Sequence, residues 1–277
     1  MLYRFFSDNQ YSLSSLANHY LWFSNLEDFN DPFETHINST LYYENIDEVD
    51  ESTAVKILKS TNCESANSIS YEQYLLELAL MQPERFKRLK KKTLAFLRNK
   101  HKETYTKYSH QKWCCFTVYD KEFGEPIERR LMWGHYANGL RGFAVEFEDH
   151  RLINSIKELN REDYVIDAKT KYGELSRVGF YSEFLLEVKP SDEKLANFLH
   201  QKSNEWSYES ERRLGIKKQR GRYNPDAVKR IIIGEKMPTE YRETLFLIIH
   251  SALPKVDVYE AYIDPESLVI QTRQLTQ

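Results

Sequence analysis

The feature that most restricts the fold is a series of short apolar segments with strand-like alternation, separated by connections of very unequal length. The segments that read as strands are Leu2–Phe6, Tyr20–Ser24, Lys112–Tyr119, Phe143–Phe147, Tyr164–Ala168, Trp206–Ile216, Val228–Ile233, Val256–Tyr262 and Leu268–Thr272. Irregular connections do not fit a regular repetition of βαβ units. The pattern therefore predicts an α+β fold, with a single mixed or antiparallel sheet as its core and helices around it.

Helical periodicity places the remaining elements between these segments. Helices are expected at Ser12–Asn18, with Ser12 as the cap, at Pro126–Ala137, which Asn138-Gly139 ends, and from near Pro238. Residues from about 40 to 110 are interpreted as a mostly helical insertion that projects from the sheet. Because no linker or repeat is visible, residues 1–277 are predicted to form a single domain that carries this insertion.

Composition restricts the location and the partners of the chain. The formal net charge of −3 argues against wholesale electrostatic capture of nucleic acid or of an anionic membrane, although local patches remain open. No apolar run approaches the roughly 20 residues that span a bilayer, and the first residues lack a signal pattern. The odd set Cys63, Cys114 and Cys115 has no metal-ligand spacing. We expect a cytoplasmic protein without membrane contact.

A basic segment lies inside the predicted insertion. Between residues 84 and 107, ten lysines and arginines face only Glu84 and Glu103, while Phe86, Leu89 and Phe96 follow helical spacing. One interpretation is a solvated helix face that the preceding acidic segment neutralises. The other is a docking surface for nucleic acid or a protein partner on the helix at 84–107.

Two segments mix aromatic rings with charged groups, a combination that often marks a site. The first segment is the turn Asn30–Glu34, and the second is Trp206–Arg213. In the second segment, strand alternation would place Glu209, Glu211 and Arg213 on one face and leave Arg212 on an apolar face. An unpaired guanidinium on an apolar face needs a carboxylate. We therefore expect Arg212 to bind Asp31 or Glu34, so that Asn30, Asp31, Glu34 and Arg212 support the site. The alternative is an edge strand with surface ion pairs.

Several motifs together resemble a bacterial family known as domain of unknown function 2971. They are Leu-Tyr-Arg-Phe at 2–5, Leu-Trp-Phe-Ser at 21–24, Asn-Asp-Pro-Phe-Glu at 30–34, Met-Trp-Gly-His-Tyr-Ala at 132–137, Gly-Phe-Ala-Val-Glu-Phe at 142–147 and Trp-Ser-Tyr-Glu-Ser-Glu-Arg-Arg at 206–213. The resemblance covers nearly the whole chain except the predicted insertion. The family name implies no activity, so the chemistry must come from the residues.

The order of polar and aromatic residues is also similar to that of ADP-ribosyltransferases. Those enzymes use a basic residue on the first strand, an aromatic ring for nicotinamide and a late glutamate that stabilises the oxocarbenium ion. The analogy implies NAD as the nucleotide. It places Arg4, Ser24, Trp133 and Tyr136 at the nucleotide and Glu209 or Glu211 at the reacting sugar. The alternative for Trp133 and Tyr136 is plain core packing.

Two further functions compete with NAD-dependent transfer or cleavage. A non-enzymatic ligand-binding or protein-binding regulatory module ranks second. A metal-dependent nuclease ranks third, because Asp167 and the later Glu187-Val188-Lys189 resemble an acid followed by an acid-x-lysine pair. No histidine spacing indicates zinc, and no glycine-rich phosphate loop occurs. A defence or toxin context is an expectation by association with the bacterial family, not an inference from residues.

Overall fold

A computed structural model of the protein describes residues 1–31, 51–52, 54–55, 58, 69–93, 95, 110–162, 164–173 and 200–275. The chain divides into two units. The first contains residues 1–28, 111–172 and 204–277, and the second contains residues 29–110 and 173–203.

The first unit holds most of the regular structure. Its strands are β1 (Leu2–Phe6), β2 (Tyr20–Trp22), β3 (Lys112–Thr117), β4 (Phe143–Phe147), β5 (Ile166–Lys169), β6 (Lys171–Tyr172), β8 (Glu211–Ile216), β9 (Arg220–Arg222), β10 (Val228–Gly234), β11 (Asp257–Ile263) and β12 (Ile270–Gln274). Its α-helices are α1 (Gln10–Ala17), α3 (Arg130–Tyr136), α4 (Asp149–Asn160) and α5 (Thr239–Ala252). Short 3-10 helices cover Leu26–Asp28, Pro126–Glu128, Asn204–Glu209 and Pro225–Ala227.

Eight of these strands form one sheet in the order β12-β11-β10-β4-β1-β3-β8-β5. Each neighbouring pair is antiparallel except β10 and β11, which run parallel and are connected through α5. The sheet is therefore mixed, and the predicted α+β class is confirmed. Strand β2 is an exception to the predicted single core, because it pairs with β9 in a separate two-stranded sheet.

Alternation along the strands separates two hydrophobic clusters on opposite faces of the sheet. One contains Ile231 and Ile233 together with side chains from α1, α4 and α5, and we call it the three-helix face. The other contains Ile232 with Tyr3 and Trp133, and we call it the α3 face. Because β10 is apolar on both sides, it reads in the sequence as a continuous apolar run.

Several predicted boundaries need correction. Helix α1 begins at Gln10, because the side chain of Asn9, not Ser12, accepts the capping hydrogen bond. The helix expected over Pro126–Ala137 is divided, because Arg129 has an extended backbone between the 3-10 turn and α3. The strands expected from Tyr164 and from Leu268 begin two residues later, at Ile166 and Ile270.

The largest correction concerns the segment predicted as one strand from Trp206 to Ile216. Residues Asn204–Glu209 form a 3-10 helix, and only Glu211–Ile216 extend as β8. Ser210 joins the two elements in the left-handed region, with φ of 43°. Glu209 and Glu211 are consequently not neighbours on one strand face.

The second unit contains α2 (Ile69–Met81), a helical segment at 83–93 and β7 (Gln201–Lys202). In the segment at 83–93, Phe86 is buried while Arg85, Lys87 and Arg88 are exposed, as expected of an amphipathic helix. Much of the predicted insertion lies outside the described residues, so its projection from the sheet stays a prediction. In the part of the chain that the structure describes, no helix is both long and apolar enough to cross a membrane.

Candidate functional site

A carboxylate surrounded by aromatic side chains lies on the α3 face. The 3-10 turn Asn204–Glu209 ends with Glu209, whose side chain is only 3% exposed. The phenol of Tyr136, the last residue of α3, donates a hydrogen bond to Glu209 Oε1. The structure therefore brings together two of the predicted site residues, which lie 73 positions apart in the chain.

Three further rings surround this pair. The Nδ1 atom of His135 lies 2.7 Å from the hydroxyl of Tyr208. The ring of Trp206 lies 6.3 Å from that of His135 and 6.2 Å from that of Tyr208, measured between centroids. We call His135, Tyr136, Trp206, Tyr208 and Glu209 the aromatic–carboxylate cluster. A carboxylate beside partly exposed rings can hold a polar ligand that carries a flat ring.

A buried arginine fixes the turn that carries this cluster. The guanidinium of Arg129 donates to the backbone oxygens of Tyr208 at 2.9 Å, Val118 at 2.8 Å and Gly124 at 2.6 Å. Burial lowers the pKa of Arg129 from its ordinary value, and nearby carboxylates oppose the shift. Because Arg129 binds the Tyr208 carbonyl together with those of Val118 and Gly124, it holds the Tyr208 backbone against the 118–124 segment.

The second predicted carboxylate has a different environment. Glu211 is 6% exposed, and its two oxygens accept from Nε and Nη2 of the fully buried Arg213, at 3.0 and 2.9 Å. Thr170 donates to the same carboxylate at 3.3 Å, and the backbone amide of Glu211 donates to the Tyr172 hydroxyl at 2.8 Å. The charge of Glu211 is thus compensated inside the protein.

Arg4 does not join the aromatic–carboxylate cluster. It is opposite Val145 in the β1–β4 register, which places it on the three-helix face. Its Nη1 lies 2.6 Å from Cys114 Sγ and 3.0 Å from the Cys115 carbonyl oxygen. Burial raises the pKa of Cys114 to about 11, although Arg4 opposes the shift, so this thiol is an inert core group at neutral pH.

The other predicted site residues lie elsewhere. Ser24 forms a two-bond backbone bridge with Trp113, and Trp133 is a core residue that donates to the Ile127 carbonyl at 2.7 Å. Asn30 is exposed and Asp31 is buried, both in the second unit. Glu34 lies outside the described residues.

The expected partner of Arg212 was wrong. Its guanidinium binds Asp167 through Nε at 2.7 Å and Nη2 at 2.5 Å, and Asp149 through Nη1 at 3.3 Å. These hydrogen bonds, offset by partial burial, keep the pKa of Arg212 above its ordinary value. The need for a carboxylate was correctly inferred, but the acids come from β5 and from the first turn of α4, on the three-helix face.

A row of polar side chains that was not predicted from the sequence crosses the α3 face. Strand registers align five of them on neighbouring strands: Arg230, Glu146, Tyr3, Thr117 and Glu211. Glu146 is 1% exposed and binds Arg230, which donates to the Tyr3 hydroxyl at 3.1 Å. Burial raises the pKa of Tyr3 above its ordinary range, so the phenol stays neutral. A lone glutamate in the apolar Phe143–Phe147 segment was the available signal.

This row borders an open cleft of about 450 Å³ at the end of the sheet where β1, β8 and β10 begin. Its polar lining consists of Tyr3, Tyr119, Glu125, Glu146, Lys169, Arg212, Lys229 and Arg230. Among these, Glu146 neutralises Arg230 and lies 3.3 Å from Lys229 Nζ. Arg212 binds Asp167 and Asp149, so three of the four lining cations already have carboxylate partners, and the cleft is bordered by a polar network.

No group of three or more potential metal ligands occurs among the described residues. Asp167, the first acid of the nuclease pattern, is occupied by Arg212. Glu187 and Lys189 lie outside the described residues, so the nuclease pattern stays untested in its second half.

Comparison with known proteins addresses the family and not the activity. No curated protein and no solved structure matches the chain. Residues 132–214 match the model of the family described as Protein of unknown function (DUF2971). The matched stretch includes all five members of the aromatic–carboxylate cluster, and it confirms the resemblance that the motifs at 132–137, 142–147 and 206–213 indicated. Over residues 132–214, the chain is therefore similar to the DUF2971 family.

Proposed function

We propose that the aromatic–carboxylate cluster binds an NAD-type nucleotide and cleaves or transfers its ribosyl group at the nicotinamide bond. The observation that carries this proposal is the buried Glu209 carboxylate, oriented by the Tyr136 phenol and surrounded by three further rings. A fixed anion beside a stacking surface is the combination that this chemistry requires.

The reaction would proceed through charge stabilisation by the protein. The bond between C1 of the ribose and nicotinamide breaks, and its electron pair leaves with the neutral nicotinamide. Glu209 stabilises the positive charge that develops on the ribose, because a preorganised carboxylate needs no rearrangement during the reaction. Water or an acceptor hydroxyl then attacks the ribosyl carbon and releases a proton to solvent.

The proposal gives the two glutamates different roles. Glu209 is the reacting carboxylate, and Tyr136 positions it through the phenol hydrogen bond. Glu211 is a structural group, because both of its oxygens bind Arg213. Arg4 has no role in this site, since its guanidinium is on the three-helix face with Cys114.

The test measures nicotinamide release from NAD, with and without cell extract as a source of acceptor, by the purified protein. Glu209→Gln keeps the size of the side chain and removes the charge, so it should abolish turnover without changing the melting temperature. Tyr136→Phe should reduce kcat by about 10-fold or more, because it removes the hydrogen bond that orients the charged carboxylate of Glu209. Glu158→Gln, an exposed glutamate on α4, is the matched control.

Nicotinamide release that persists in Glu209→Gln would exclude Glu209 as the reacting group. The absence of release under every condition would favour a ligand-binding module. One observation supports that second candidate: the Glu211–Arg213 pair and the Tyr3–Glu146–Arg230 row are internally satisfied, as structural networks are. Calorimetric binding of NAD without turnover, lost in Glu209→Gln, would identify such a module.

A further inference from the structure

The two-stranded sheet of β2 and β9 has an outer face of unusual composition. Its register pairs Tyr20 with Arg222 and Trp22 with Arg220. The intervening Leu21 and Gly221 are buried, and a Cβ added at Gly221 would meet the Phe23 ring at 2.5 Å. Since side chains alternate along a strand, the two aromatic rings and the two arginines share the other face.

Flat groups on this face are available for stacking. The Arg220 guanidinium carbon lies 5.1 Å from the centre of the Tyr20 ring and 6.0 Å from that of the Trp22 ring. Trp22 is 41% exposed, a large fraction for the largest apolar side chain. Rings and guanidinium planes of this kind are the surfaces on which unpaired bases stack.

Positive charge is concentrated at the same place. Lys217, Lys218, Arg220 and Arg222 are all exposed. An open pocket of about 500 Å³ adjoins the face, and its described lining contains Lys218, Arg220 and Arg222 but no carboxylate. The remaining lining residues are Ser14, Asn18, Tyr20, Leu159 and Asn160. Although the net charge of the chain is −3, these cationic side chains form a local surface that attracts anionic ligands.

Hydrogen bonds hold this surface rigidly against α4. Asn160, the last residue of α4, accepts from the Arg222 backbone nitrogen at 2.9 Å and donates to the Arg222 carbonyl at 2.8 Å. Lys218 donates to the Asn160 carbonyl. The backbone of β9 is therefore fixed before any ligand binds, which reduces the ordering cost of association.

We propose that the outer face of β2 and β9 binds single-stranded nucleic acid. Arg222 and Lys218 bind phosphates, and Tyr20 and Trp22 stack on unpaired bases, with Arg220 between the rings. The stacking groups distinguish this ligand from duplex, whose bases are already stacked, and from an anionic lipid surface, which needs no aromatic platform. The proposal does not depend on NAD chemistry or on the basic helix at 84–107.

The test is fluorescence anisotropy of labelled 12-nucleotide oligo-dT and oligo-rU with the full chain, at several salt concentrations. The double variant Arg220→Gln, Arg222→Gln should weaken binding and reduce the slope of log K against log salt by about 0.7, since Arg222 is the phosphate contact that it removes and each such contact to a single strand contributes about 0.7. Trp22→Leu should weaken binding about 5-fold or more with an unchanged slope, because stacking is uncharged.

Two control variants test whether the outer face of β2 and β9 is the binding site. Lys236→Gln with Lys255→Gln removes two exposed cations that lie outside β2, β9 and the adjoining pocket lining, and it should leave binding unchanged. Lys91→Gln with Lys92→Gln probes the basic helix; weakening by this variant alone would overturn the proposal. Melting temperatures of all variants should match that of the wild-type protein.

Other outcomes overturn the proposal as well. Failure of both oligonucleotides to bind at 50 mM salt, or equal affinity for a 12-base-pair duplex, would exclude a single-strand site. Binding to phosphatidylserine vesicles that the double arginine variant abolishes, without oligonucleotide binding, would assign the surface to a membrane instead. None of these results bears on nicotinamide release, so this proposal and the proposed function can fail separately.

Discussion

At the scale of single residues, the two adjacent arginines of β8 have opposite energetic roles. Arg213 is fully buried and is paired with Glu211, whereas the Arg212 side chain is 18% exposed and binds two partly exposed aspartates. Removal of one partner of a buried ion pair leaves an uncompensated charge, which costs about 3–5 kcal/mol. We expect Arg213→Ala to lower the free energy of unfolding by this amount, measured by chemical denaturation.

Arg212→Ala serves as the comparison, and it should cost about 1 kcal/mol, in keeping with pairs near the surface. The double variant Glu211→Gln, Arg213→Ala should recover part of the loss, because it removes the buried charge that the single variant leaves. Equal losses in the free energy of unfolding from the two single arginine variants would show that the buried pair stabilises the protein no more than the partly exposed one. This order is the reverse of the one that strand alternation alone suggested.

The alternation within β8 was predicted correctly, since Arg212 and Leu214 do share a face. The error came from the assumption that an arginine on an apolar face is the buried one. Strand β8 is buried at five of its six residues, with Arg212 the exception, so alternation does not by itself indicate which of the two arginines is buried. The sequence alone does not indicate which arginine is buried, because β5 and α4, which supply the acids for Arg212, are placed beside it only by tertiary packing.

Glu260 provides a test of electrostatics by pH. Burial would raise the pKa of Glu260, but the hydrogen bonds of Arg273 and Arg242 outweigh burial and hold its pKa below the ordinary 4.5. A depressed pKa in the folded state means that the stabilisation is complete above pH 4.5 and is lost as the pH falls through the folded pKa. Glu260→Gln should therefore lower stability by about 2 kcal/mol at pH 7.

The difference between wild type and Glu260→Gln should shrink in denaturation experiments as the pH falls below 4.5. Glu240→Gln, a substitution near the start of α5, is the control for general acid effects. A difference that stays constant from pH 7 into that acid range would contradict the ion-pair explanation.

At the scale of elements, the connection between α3 and β4 is built around close backbone contacts. A Cβ added at Gly142 would lie 1.9 Å from the Phe6 carbonyl oxygen and 3.1 Å from Ala137 Cα, and neither can move without displacing β1 or the loop. Gly142 also donates to the Ala137 carbonyl at 2.8 Å and accepts from Gly234 at 3.0 Å. We expect Gly142→Ala to cost about 3 kcal/mol, measured by chemical denaturation.

Gly134 is the matched control inside α3. A Cβ there would meet nothing within 4 Å, and glycine is a poor helix former. Gly134→Ala should therefore stabilise the protein by about 0.5–1 kcal/mol. Stabilisation by both substitutions would show that the loop can move away from β1 at little cost.

The divided segment 204–216 shows where local patterns stop being informative. Alternating aromatic and charged residues from Trp206 to Arg213 fit a strand, and that period-2 pattern was the basis of the prediction. The structure instead uses Ser210 at positive φ to change from 3-10 helix to strand. The residue at this change is a serine, not the glycine or asparagine that usually indicates a positive φ. The 3-10 turn places Glu209 against Tyr136. The departure from the strand pattern is therefore also the feature that forms the candidate site.

At the scale of the whole molecule, the main sheet is assembled from distant parts of the chain. Strand β1 pairs with β3 and with β4, and β3 pairs with β8. The positions of nine of the twelve strands in the described residues were predictable, because each carries its own apolar pattern, whereas the short strands β6, β7 and β9 were not predicted. The order of strands and the separate pairing of β2 with β9 were not, since nothing local selects among possible neighbours.

This arrangement predicts a gradient of local stability across the sheet. Strand β4 lies between β10 and β1 and is buried along its whole length, whereas β12 pairs with β11 alone and is largely exposed. Opening β4 requires separation of strands that are far apart in sequence, so its amides should exchange only through global unfolding. In hydrogen exchange followed by mass spectrometry, we expect the slowest exchange at 143–147 and much faster exchange at 270–274.

Denaturant added below the unfolding midpoint should accelerate exchange strongly in β4 and only weakly in β12, because global unfolding exposes far more surface than edge fraying. Equal denaturant sensitivity in the two strands would mean that the sheet opens as one cooperative unit from its edge to its centre.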